Sequence, residues 1–122
     1  MKPEDVVVEF CHAVVRRDAA KLAAYFTADA VYHNMPIDPV NGREAIEATL
    51  RQFVDPATEV RFDVLALATT GNTVLTERID RFVINGKSIA LPVMGAFEVT
   101  ADGKISAWRD YFDMASFMKQ MG

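Results

Sequence analysis

The chain has 122 residues, 51% of them hydrophobic, and seventeen acidic against thirteen basic side chains give it a net charge of −4. That length closes one core without room for a second domain of ordinary size, so a single domain over residues 1–122 is expected. No Lys/Arg-rich run offers a phosphate-neutralising surface, no stretch nears the roughly 20 apolar residues of a membrane span, and MKPEDVVVEF does not read as a signal segment; the expectation is a cytoplasmic protein with neither nucleic acid nor membrane as partner.

Pro3 suits a first helical position, and Val7, Phe10, Cys11, Val14 and Val15 recur at the spacing of one helical face. Cys11, the single cysteine, has no disulfide partner and reads as a small core filler on that face. Arg16 and Arg17 suit the negative end of this helix, after which Asp18 caps a second helix that gathers Leu22, Tyr25 and Phe26. The segment from Ala30 to Asn34 reads as short and extended, and MPIDPVNG as a loop. A third helix is expected from about Arg43 to Phe53, with Ile46, Leu50 and Phe53 on one face and Asn41 as its cap. From Val60 the period changes to two, which predicts consecutive hairpin strands near 60–69, 73–84, 87–100 and 104–112. TTGN, Asn85-Gly86 and ADG separate them, and Asn85-Gly86 is the most specific turn because a type I′ hairpin needs positive φ at both central positions. Met114, Phe117, Met118 and Met121 predict a last short helix. Helices first and an antiparallel meander afterwards indicate an α+β fold whose helices cover one face of a curved sheet, a cone that encloses a pocket.

Side chains alternate across a strand, so Arg78 and Asp80 in TERIDRF share a face with Thr76 and Phe82. Glu77 and Arg81 make the opposite face equally polar, and on this strand alone a solvated charge ladder is the favoured reading. In ISAWRDYF the parity is clearer: Asp110 lies between Trp108 and Phe112, and a carboxylate on an apolar face is costly unless it is paired. A structural acid bonded to backbone and a functional acid weigh about evenly there. Tyr32 and Asn34 in VYHNMP also share a face, where a phenol and an amide can hold one water, although turn chemistry explains an Asn as well. With only His12 and His33, and with no Cys pair, HExxH, GxSxG, P-loop or GxGxxG, no metal or cofactor is expected. His12 falls on the polar side of the first helix, and His33 has the opposite parity to Tyr32 and Asn34.

VYHNMP, TERID, GKS leading to MGAFEVT, and WRDYFD stand in an order and spacing that resemble the limonene-1,2-epoxide hydrolase family. That family is a branch of the cone-shaped, nuclear transport factor 2-like (SnoaL-like) α+β superfamily that includes ketosteroid isomerase. The resemblance covers nearly the whole chain and matches in type at Arg78, Asp80, Asp110, Tyr32 and Asn34. It implies a cofactor-independent hydrolase in which Asp110, helped by Tyr32 and Asn34, deprotonates a water that attacks an epoxide, Asp80 protonates the opening oxygen, and Arg78 orients both acids. It also implies a pocket lined by Cys11, Val14, Phe82, Leu91, Val93, Trp108 and Phe112, an apolar epoxide as substrate, and a homodimer paired through the outer face of the sheet. A carboxylate, a guanidinium and a protonated Asp80 sum to zero charge, and Asp80 can keep that proton only if burial raises its pKa. Two alternatives stand beside this reading. An isomerase or cyclase of the same superfamily would need only one acid and gains little from Arg78, and a noncatalytic ligand-binding module would not need both acids.

Overall fold

The computed structural model describes residues 1–122. Helix α1 (Pro3–Ala13) starts with Pro3 in its first turn and buries Val6, Val7, Phe10 and Cys11. It does not run on to the arginines. A 3₁₀ turn spans Val14–Arg16, Arg17 takes a left-handed φ of 54°, and its Nη1 donates to the Ala57 carbonyl at 2.5 Å, so this arginine serves a strand end and not its own helix terminus. Asp18 caps α2 (Ala19–Ala23) as expected, its Oδ1 accepting from the Lys21 N–H. Strand β1 (Phe26–Asn34) is longer than its sequence signal, and β2 (Val40–Asn41) is a two-residue strand paired to it. That pairing removes Asn41 as a cap. Asn41 lies opposite Val31 in the ladder, and Gly42, at φ 93°, takes the cap position of α3 (Arg43–Val54), a backbone geometry that favours glycine.

The meander follows as β3 (Ala57–Thr70), β4 (Thr73–Ile84), β5 (Lys87–Val99) and β6 (Ile105–Tyr111), and α4 (Met114–Met121) ends the chain on an Asp113 cap. Asn85 and Gly86 both have positive φ, 53° and 75°, as the hairpin reading requires. The sheet order is β2-β1-β6-β5-β4-β3. Every pair is antiparallel except β1 with β6, which run parallel, a pairing that the alternation within either strand cannot announce. A bulge at Leu65 breaks the long β3–β4 ladder. The concave face meets α1, α2 and α3, and Phe10 stands at the centre, edge-on to Tyr25, Phe26, Phe97 and Trp108. No helix is long and apolar enough to cross a membrane. The observed architecture is the expected α+β arrangement of N-terminal helices over one curved sheet.

Candidate active site

On β4 the alternation is strict. Val74, Thr76, Arg78, Asp80, Phe82 and Ile84 are buried, while Glu77 and Arg81 are exposed, so the charge-ladder reading fails for the inner pair. Arg81 instead pairs with Asp63 on the outside, beside Arg61. Arg78 is fully buried at 0% exposure, with Asp80 at 5% and Asp110 at 3%. Burying three ionisable groups is tolerable only with near-complete pairing, and the geometry supplies it. Arg78 Nε and Nη2 donate to the two Asp80 oxygens at 2.9 and 2.8 Å. Its Nη1 and Nη2 donate to the two Asp110 oxygens at 3.1 and 2.8 Å. The remaining Nη1 hydrogen goes to Thr76 Oγ1 at 3.1 Å, so all five guanidinium N–H groups have acceptors. Below the guanidinium lies the Phe62 ring, 4.9 Å from Cζ to centroid.

Asp110 reaches this cluster from β6, where Trp108 Nε1 also donates to its Oδ1 at 2.6 Å. The parallel β1–β6 register sets Tyr32 beside Trp108 and Asn34 beside Asp110. Tyr32 stacks on Trp108 with centroids 4.1 Å apart. The structure thus brings all five predicted polar residues together, and Tyr32, Asn34, Asp80 and Asp110 line one cavity of about 140 Å³. Sixteen of its nineteen lining residues are hydrophobic, so what enters is held mainly by apolar contact and oriented by the few polar groups. A larger groove of about 570 Å³ along Thr58–Arg61 and Arg81–Val83 is open to solvent and holds none of the five, so size alone does not locate the chemistry.

Burial pushes the Asp80 carboxyl up from 3.8 to about 6, with Asp110 adding to the rise and Arg78 opposing it. The direction is the one that charge neutrality demands, because a proton kept on Asp80 leaves one carboxylate to balance one guanidinium. For Arg78, burial opposes the charge, but the Asp110 and Asp80 carboxyls overcome it and hold the guanidinium well above its ordinary value. Burial, then the Asp110 charge, lift the Tyr32 phenol above its ordinary value, so the phenol keeps its proton.

Of the apolar predictions, Val14, Phe82, Leu91, Val93, Trp108 and Phe112 line the cavity. Cys11 does not. It is buried behind the lining, near enough to feel the three charged groups, and burial pushes its thiol up to about 12. His12 is exposed, and His33 turns away to the Ile37 carbonyl. Sequence reasoning missed Phe62, whose strand lacks a clean alternation, and the cavity walls from α2 and α3, namely Leu22, Leu50, Phe53 and Val54. It named Thr76 only as a neighbour on the strand, without its bond to Arg78. Nowhere do three His, Cys, Asp or Glu side chains gather as a metal site.

The chain is 33% identical over 115 residues to epoxide hydrolase EphG of Mycobacterium tuberculosis, which covers 93% of this chain and 74% of that protein. It is 31% identical to a solved LEH-like epoxide hydrolase from M. tuberculosis, with a TM-score of 0.79 over 95% of this chain and 86% of that one. A protein of ketosteroid isomerase-like fold from Catenulispora acidiphila DSM 44928 superposes with a TM-score of 0.85 over 98% of this chain and 93% of that one; at 21% identity it shows the shared fold alone. Residues 1–122 match the family described as the limonene-1,2-epoxide hydrolase catalytic domain, and the chain belongs to that family.

Proposed function

We propose that the protein hydrolyses a small apolar epoxide to a vicinal diol in one step. The observation that carries this reading is the division of the Arg78 donors, two bonds to each carboxyl and one to Thr76, which holds two acids at a fixed separation over an apolar cavity. Tyr32 and Asn34 stand beside Asp110, and the three cradle a water. Asp110 takes a proton from that water as its oxygen attacks an epoxide carbon. The carbon–oxygen bond of the ring breaks, and protonated Asp80 delivers its proton to the departing oxygen. The cluster carries no net charge before or after the step, since one proton enters at Asp110 as one leaves Asp80. A proton transfer from Asp110 to Asp80 then restores the resting state. No metal or cofactor takes part. Arg78 favours attack by water over attack by Asp110 itself, because a carboxylate clamped by two N–H donors is poorly free to bond to carbon. We further propose that two copies pair through the outer face of the sheet, where Leu75, Met94 and Tyr111 are exposed.

The test is diol formation from a small panel of epoxides, beside a steroid-isomerisation assay, followed by a single turnover in ¹⁸O-labelled water with enzyme in excess. The first diol should carry the label, and mass spectrometry should find Asp80 and Asp110 unlabelled. An unlabelled first diol, with label arriving later in either aspartate, makes that aspartate a nucleophile and overturns the one-step reading.

A further inference from the structure

Arg78 and Asp110 stand on strands that are not neighbours, because β5 lies between β4 and β6. The register places Thr76, Gly95 and Asp110 in one row across these three strands. To touch Asp110, the guanidinium must cross β5 at residue 95, and its Nη1 stands 3.1 Å from both Thr76 Oγ1 and Asp110 Oδ1. A Cβ on residue 95 would lie 2.7 Å from Asp110 Oδ1, 3.0 Å from Thr76 Oγ1, and closer still to Arg78 Nη1. Gly95 does not have a positive φ, so its backbone accepts any residue, and only the space above it demands glycine. A glycine inside a strand weakens that strand, and close approach of another group is one of the few reasons to keep one there.

We infer that Gly95 is a positioning residue of the site: its missing side chain is the bay through which one guanidinium holds carboxyls on two non-adjacent strands. A methyl group there displaces Nη1 and opens the fork to Asp110. The fork to Asp80, on Arg78's own strand, uses Nε and Nη2 and stays closed. Gly95 does not line the cavity, so the apolar binding surface is untouched.

The kinetic arm of the test rests on the hydrolase reading, and the spectroscopic and melting arms do not. In Gly95→Ala, kcat for epoxide opening should fall about 100-fold, as for a misplaced catalytic group, while KM changes little. Trp108 is the sole tryptophan and donates to Asp110 Oδ1, so its indole N–H resonance reports the position of that carboxyl. The resonance should move in Gly95→Ala, and the melting temperature should fall. In an Arg78→Lys background there is no Nη1 to displace and only the contact with Asp110 Oδ1 remains, so adding Gly95→Ala should then move the resonance and the melting temperature by clearly less than it does with Arg78 in place. Equal effects in both backgrounds, or an unmoved indole signal in Gly95→Ala, overturn the inference. If Gly95→Ala alone does not fold, folding of the double variant supports the inference, and its failure where Arg78→Lys folds overturns it. A wild-type chain that opens no epoxide sinks the hydrolase reading and leaves the role of Gly95 to the indole signal.

Discussion

Replacing Arg78 with lysine keeps the charge and removes the fork, and the cost follows from the hydrogen bonds. Arg78 makes five, four of them to carboxylate oxygens, whereas an ammonium brings three donors from a single point. At least two bonds are lost. At about 1.5–3 kcal/mol for each hydrogen bond to a charged group, the loss is about 3–6 kcal/mol, set against a total stability of about 5–15 kcal/mol for a domain. Arg78 is fully buried, so solvent screening does not discount the loss. If about 3 kcal/mol of this is expressed in the transition state, where the fork aligns acid and base, the rate falls at least about 100-fold. The assay is kcat for diol formation from a saturating epoxide at pH 5.5, with a urea denaturation curve on the same preparation. A lysine variant that keeps more than about a tenth of the rate, or whose urea midpoint is unchanged, would show that only the positive charge matters and refute the assignment of Arg78 as a geometric clamp.

Asp110→Asn should fold and still bind an apolar ligand, because the amide keeps shape and hydrogen-bonding reach, but it should not hydrolyse; near-wild-type diol formation removes Asp110 as base. The rate should decline as pH rises through about 6, where Asp80 gives up its proton, and a rate still climbing above pH 9 would exclude a carboxylic acid as donor. The same raised value has a stability signature: the stabilisation from the Asp80 proton is complete below about 3.8 and lost as pH rises through about 6, so urea midpoints should fall across that window in wild type and stay flatter in Asp80→Asn. Dialysis against a strong chelator should leave the rate unchanged, since two separated histidines and one buried cysteine make no catalytic metal site; loss with recovery on adding a divalent ion would overturn the metal-free reading.

What could be read from the sequence was whatever period two or period 3.6 encodes. Alternation placed Arg78 with Asp80, Trp108 with Asp110, and Tyr32 with Asn34 on shared faces, and all six turned inward. It could not say which strand stands beside which. Nothing in VYHNMP or ISAWRDY announces a parallel pairing of residues 32–34 with residues 108–110, and only the family resemblance joined them. Local rules failed where tertiary contacts outbid them. Asn41 is a good cap residue drawn into a strand, and Arg17 is a good helix-end cation drawn to the Ala57 carbonyl. Phe62 went unread because the burial of β3 does not alternate cleanly, and Cys11 was placed one layer too far forward. Gly95 left no signal of its own, since its contribution is an empty volume and a sequence records only what fills space.

The parallel β1–β6 pairing also decides when function can appear. The site draws on residues 32 and 34 from the first strand, 78 and 80 from the fourth and 110 from the last, so the chain must close its longest loops before the site exists. Contacts so distant in sequence form slowly, because loop-closure entropy is spent before they reward it. Catalysis therefore gauges completed folding: in a refolding experiment, diol formation should return only with the last docking event, later than the β4–β5 hairpin at Asn85-Gly86. A chain cut at that turn should stay inert until its two pieces associate, and rejoining them without a covalent link should switch the activity on.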